Sequence, residues 1–165
     1  MKLIKKSKWG LILLAATLIA LGFAGATSLI KMDLNEVCTS ADNIVIATVQ
    51  NASCQYSEYD GKIYTYTKVH IDEVIKGEAA MTEAIVKTPG GSIGDVMMEV
   101  PDSPELTQGE QCIVFLYDAD PEYLSNLVGF TQGKYSVVNG IIQENGKTVE
   151  EFINEIESII DANEQ

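Results

Sequence analysis

Short β-branched runs, each closed by glycine, proline or asparagine, recur along most of this chain and leave little room for anything but a strand-rich body. Ile44 to Val49 is one such run, and Ile63 to Ile75 is a longer one. Ala84 to Thr88 and Asp95 to Val100 follow, separated by Pro89-Gly90-Gly91. Glu110 to Tyr117 contains Cys112-Ile113-Val114-Phe115-Leu116, five successive apolar residues that read as the most buried strand. Between these runs, Ser57 to Gly61 predicts a turn, and Pro101 to Gly109 and Asp118 to Glu122 predict surface loops. Leu127 to Phe130 and Tyr135 to Val138 read as a hairpin around Gln132-Gly133, and Asn139-Gly140 as a further turn.

Helical periodicity appears only at the two ends of this region. Leu34, Val37, Cys38 and Ala41 recur at spacings of three and four behind Asp33 or Asn35 as a cap. Thr148-Val149-Glu150-Glu151 is a capping box that opens a stripe of Val149, Phe152, Ile153, Ile156, Ile159 and Ile160, a helix over 148–162 with one face for the sheet. One helix before many strands and one after predict a mainly β fold, a small closed or partly open OB-like β-barrel, rather than a βαβ arrangement.

Lys2, Lys5, Lys6 and Lys8 precede an uncharged apolar run from Trp9 to Phe23 that ends in Ala24-Gly25-Ala26. A basic front, a short greasy middle and small residues at the end are the signature of a signal peptide over 1–26. The alternative is an uncleaved membrane anchor, since roughly 20 apolar residues span a bilayer. Either way the remaining 27–165 is expected to work outside the cytoplasm, secreted or held at the membrane by that segment alone. It is long enough for one domain.

Loss of the four leader lysines from 11 basic residues leaves 7 against 24 acidic ones, a balance of −17. Such a field repels phosphate backbones and anionic lipid, which argues against nucleic acid as a partner. Cys38, Cys54 and Cys112 allow three pairings in an oxidising compartment. Cys54 with Cys112 is the expected one, because both lie at or near strands and Cys38 lies in a helix that buries it. No Cys-x-x-Cys pair or second histidine accompanies them, so no metal and no cofactor is expected.

Gly90-Gly91-Ser92-Ile93-Gly94 has the letters of a nucleophile elbow, yet no helix pattern follows Ser92 and the single histidine, His70, precedes it. These glycines are expected to supply turn geometry. Asp118, Asp120 and Glu122 alternate as calcium loops do, without the glycine and the distal glutamate such loops need. Tyr56, Tyr59, Tyr64 and Tyr66 offer rigid amphipathic rings suited to protein contact, with Gly90, Gly91 and Ser92 in a second candidate loop. His70 shares the outward strand face with Tyr64, Tyr66, Lys68 and Asp72.

The order of these pieces resembles the netrin-like module of tissue inhibitors of metalloproteinases. Val37-Cys38-Thr39-Ser40-Ala41-Asp42 leads into the first strand, Val74-Ile75-Lys76-Gly77 closes a later one, and Gly109-Glu110 precedes the apolar strand. With Pro89-Gly90-Gly91 and Gly133-Lys134-Tyr135 the chain is also similar to uncharacterised exported bacterial proteins. The likeness covers about residues 34–138. It implies an OB-type barrel and a protein-binding habit. Those inhibitors present a cysteine at the mature N-terminus to a protease zinc, whereas Cys38 lies eleven residues inside the predicted mature chain, so no active residue carries over. The function expected is an exported, non-enzymatic protein-binding module, protease-inhibitor-like or a cell-surface interaction domain. A small hydrolase and a structural envelope component are the alternatives.

Overall fold

The computed structural model describes residues 30–120 and 124–163; the predicted leader lies outside them. Helix α1 (Leu34–Ser40) starts at Asp33, whose carboxylate accepts from Glu36 N while Glu36 accepts from Asp33 N, so the first turn is capped from both sides. Strands β1 (Asn43–Tyr56) and β2 (Ile63–Lys76) form a long antiparallel arm, and β3 (Glu83–Pro89) extends it. A small hairpin, β4 (Gly91–Ile93) and β5 (Val96–Met98), follows. Strand β6 (Gln111–Asp120), β7 (Leu124–Leu127), a 3₁₀ turn (Phe130–Gly133), β8 (Lys134–Val138), β9 (Ile141–Ile142) and helix α2 (Val149–Asn163) complete the order.

Pairing runs β1-β2-β3-β7-β6, and β6 returns to β1, which makes a ring of five strands. All seams are antiparallel except β3–β7, a parallel contact of three residue pairs, Ile85 with Leu124 through Lys87 with Asn126. This is the OB-like barrel, mainly β and only partly closed: the β1–β6 seam stops at Thr48–Gln111, and β1 continues beyond it.

Two cores share the strands β1 and β6. Val45, Ala47, Val49, Val69, Val86, Val114 and Leu116 fill the barrel interior. On the other side of the same wall, Ile44, Ile46, Ile113 and Phe115 meet Val37 and Cys38 of α1 and Phe152 and Ile156 of α2. Both faces of Cys112–Leu116 are therefore buried, which is why that run is apolar without alternation. Tyr135 sits between Phe115 and Phe152, its ring centroid 5.6 and 4.6 Å from theirs.

Three sequence expectations change. Strand β1 does not stop at Val49 but runs to Tyr56, since Asn51–Tyr56 pairs with Lys68–Ile63. The expected loop at Asp118 is strand through Asp120, and residues 121–123 lie outside the described ones. Leu127 and Tyr135 are not in one hairpin: β7 pairs with β6 and β3, while β8 pairs with the opposite edge of β6. Left-handed Gly129 (φ +60) and Phe130 (φ +58) carry the chain across the end of β6, and Gly133 packs directly on the Val128 backbone, where a side chain has no space.

The motif pairs of the sequence meet in space. Lys76 Nζ donates to Cys38 O and Ala41 O at the end of α1, and Gly77 leaves room for the Asn43 carboxamide, which accepts from Glu78 N. Glu110 and Lys134 form an ion pair of 2.7 Å with both side chains mostly buried. Lys134 also donates to Glu105 O, which ties the 101–109 loop to β8.

Candidate functional site

Strand alternation decides which side chains leave the barrel. Ile63, Thr67, Val69 and Ile71 are buried, so Tyr64, Tyr66, Lys68 and His70 stand on the outer face of β2. On β3, Ala84 and Val86 are buried and Glu83, Ile85 and Lys87 face outward. Register sets Tyr64 opposite Pro89, Tyr66 opposite Lys87, Lys68 opposite Ile85 and His70 opposite Glu83. Lys87 Nζ lies 4.3 Å from the Tyr64 ring centroid and 6.0 Å from that of Tyr66. Lys68 pairs with Glu83 at 2.8 Å, but Lys87 has no carboxylate partner among the described residues. The ammonium is held by ring faces instead, an attraction of about 0.5–1 kcal/mol at an exposed site.

Tyr64 is anchored at its far end, where its hydroxyl donates to Asp60 Oδ2 at 3.1 Å. That bond favours a protonated phenol and an ionised carboxylate. The Tyr64 pKa is raised, by desolvation first and by Asp60 next. The Asp60 carboxyl is held below its usual range, by Ser57 first and then by the Lys62 backbone and Tyr64. Beside this patch lies a cleft of about 210 Å³ between Tyr64, Lys87, Pro104, Tyr117 and Phe130. Tyr117 and Phe130 keep 41% and 38% of their surface exposed there. Helices α1 and α2 cover the outer side of β1 and β6, whereas this aromatic face has no covering element among the described residues.

A larger cavity, about 810 Å³, opens at the barrel mouth under the β4–β5 hairpin. Its floor is Thr65, Thr67 and Thr88, and Met97, Met98 and Leu106 form its walls. Thr65 Oγ1 donates to Gly90 O and Ser103 Oγ to Pro89 O, so part of the polar lining is already engaged. Gly90 (φ +100) and Gly91 (φ +129) are required here. A β-carbon on Gly91 would lie 2.6 Å from both Cys54 Sγ and Thr65 Oγ1.

The other sequence candidates are dispersed. Tyr56 pairs with Ile63 and so belongs to the face opposite Tyr64 and Tyr66, while Tyr59 is 98% exposed at the turn of the β1–β2 arm. The four tyrosines are therefore not one cluster. Ser92 lies in β4, opposite Met97 of β5, so strand-turn-strand replaces the strand-turn-helix of a nucleophile elbow. His70 projects from the outer face, five residues along β2 from Thr65, about 17 Å at strand spacing. The structure does not bring Ser92 and His70 together. Asp118 and Asp120 lie in strand and Glu122 lies outside the described residues. No group of three or more His, Cys, Asp or Glu is placed to hold a metal among the described residues.

The expected Cys54–Cys112 bond is not formed: all three thiols are free. Cys112 is opposite Ala47, and Cys54 lies seven residues further along β1, about 20 Å away, whereas a disulfide needs α-carbons within about 7 Å. Cys38 is in the helix-side core and Cys112 in the barrel core. Burial pushes the Cys38 thiol up to about 11 and that of Cys112 to about 12.

Sequence reading missed Lys87, Pro104, Tyr117 and Phe130. Lys87 had a signal, since it interrupts Ala84-Ile85-Val86 on the outward parity, but its meeting with Tyr64 depends on register. No protein-family model matches the chain, and no curated protein is similar to it.

Proposed function

We propose that this chain is an exported, non-enzymatic module that binds a protein partner through the outer face of β2 and β3. One observation carries the reading: the helices cover one side of the barrel, and the opposite side presents Tyr64, Tyr66 and Lys87 beside the Tyr117–Phe130 cleft without a covering element among the described residues. Rigid aromatic rings with a cation among them are the side chains that dominate protein contacts. The balance of −17 after the leader disfavours nucleic acid. The lysine-flanked leader supports export, and the order of the Ala-Asp, Lys-Gly and Gly-Lys-Tyr pieces supports a netrin-like relationship with a protein-binding habit.

The test is capture from the extracytoplasmic fraction of an exporting host, with the wild type compared with a Tyr64→Ser, Tyr66→Ser, Lys87→Ser variant. The wild type should retain a partner that the variant loses, and its N-terminus should begin at Thr27. Identical partner profiles would overturn the surface, and labelling of Ser92 by a serine-reactive probe would overturn the non-enzymatic reading.

A further inference from the structure

Residues of an antiparallel ladder direct their backbone N–H and C=O alternately to one neighbour and then away from it. Ser57 N donates to Lys62 O, and Ile63 O accepts from Gly90 N rather than from β1, which fixes the phase of the β1–β2 arm. Tyr56, Cys54 and Ala52, opposite Ile63, Thr65 and Thr67, therefore turn their backbone groups away from β2. Upstream that direction is occupied, since Val49 N donates to Glu110 O and Val49 O accepts from Gly109 N. Gly109 (φ +82) then turns the neighbouring chain away, and the seam ends. Beyond it, Ala52, Cys54 and Tyr56 have no backbone partner on their outer side among the described residues.

Sheet edges are usually guarded by lysine, proline or a bulge. Here Gln50-Asn51-Ala52-Ser53-Cys54-Gln55-Tyr56 has no charge and no proline, although 21% of the chain is charged. The bulge between Val49 and Asn51 comes before the free edge, and Asn51–Tyr56 then runs in unbroken register. On its outer face Asn51, Ser53 and Gln55 pair with Lys68, Tyr66 and Tyr64. An added strand would thus sit beside the aromatic face.

We infer that the edge Ala52–Tyr56 takes an extended segment of a partner protein as an added strand, with basic side chains at its alternate positions. The inference rests on the protein-binding reading and names the place and the conformation of the bound segment. Charge selects the occupant. A second copy would bring another acidic body against the first, at −13 with the leader and −17 without its four lysines, whereas a basic segment is drawn by the same field.

The test uses the chain recovered from the exporting host, labelled with ¹⁵N, and three capped peptides of about seven residues that alternate valine with lysine, serine or glutamate. The lysine peptide should slow amide exchange at Ala52, Cys54 and Tyr56 about tenfold or more, and the glutamate peptide should bind most weakly. Ala52→Pro removes one edge-facing N–H without touching the ladder to β2, and should weaken peptide binding about tenfold with thermal unfolding little changed. Protection of these amides by none of the three peptides overturns the inference, as does tighter binding of the glutamate peptide. A dimer disrupted by Ala52→Pro assigns the edge to a second copy and also overturns it. A partner kept by Ala52→Pro but lost with Tyr64→Ser, Tyr66→Ser and Lys87→Ser removes the edge and leaves the proposed function standing.

Discussion

The ammonium of Lys76 lies 2.7 Å from the carbonyl oxygen of Ala41, and it also donates to Cys38 O at 2.9 Å. A lysine near the end of one strand thereby caps the last turn of a helix 35 residues earlier, where carbonyls lack partners in the helix itself. Lys76→Met keeps the stem and removes the donors. It should lower unfolding free energy by about 1.5–3 kcal/mol in urea titration, and Lys76→Arg should restore part of it. Equal stability of wild type and Lys76→Met would show that water satisfies those carbonyls.

Gly91 and Gly61 both have positive φ, +129 and +68, but only Gly91 is hemmed in by Cys54 Sγ and Thr65 Oγ1. Gly61→Ala should cost about 1–2 kcal/mol from backbone strain alone. Gly91→Ala should cost clearly more by the same melt, because the arm and the small hairpin must separate. If both variants melt alike, the packing around Gly91 is looser than described.

Glu110 gives the fold an acid-sensitive point. Burial raises its pKa, but hydrogen bonds from Lys134, Thr107 and Ser136, with the Lys134 charge, outweigh that and hold it below the usual glutamate range. A folded-state pKa below the unfolded one adds stability above about pH 4.3, and the stability is lost as pH falls through the folded value. Glu110→Gln should lower stability at pH 7 and flatten the fall below about pH 5. A parallel acid limb in the variant would assign that sensitivity to other carboxyls.

The thiols should react in order of access. Cys54 is half-buried beside Thr65, and Cys38 and Cys112 are buried. At pH 8 a thiol reagent should label Cys54 first and the other two only on unfolding, with no mass change on reduction of the native chain. Burial that raises the Cys38 and Cys112 pKa values also gives an alkaline limb: the stability is present below about pH 8.5 and declines as pH rises toward the folded-state values. Rapid native labelling of all three would contradict the double-sided packing of β6.

Local signals carried much of this fold into the sequence. The Thr148–Glu151 box closes as written, Glu151 accepting from Thr148 N and Thr148 Oγ1 from Glu151 N, and the stripe behind it buries Phe152 and Ile156. Outward parity placed Tyr64 and Tyr66 correctly. What stayed hidden depends on distant partners. Asn51 to Gln55 has no apolar alternation because it edges an exposed arm, and it is a strand only because Tyr64 to Lys68 runs alongside. The parallel β3–β7 seam joins residues about 40 positions apart, and no local pattern marks it. For the same reason Lys87 could be read as outward-facing, but its seat over Tyr64 could not.

Because Ile44 and Val45 are neighbours on one strand yet serve opposite interiors, neither compartment can loosen while the other stays intact. Heat or denaturant should therefore dissolve helices and barrel in one concerted step, with fluorescence and circular dichroism tracing the same curve. A shortened chain ending before Val149 would take Phe152 and Ile156 out of the core that Ile44, Ile113 and Phe115 share, and should weaken the barrel along with the helix.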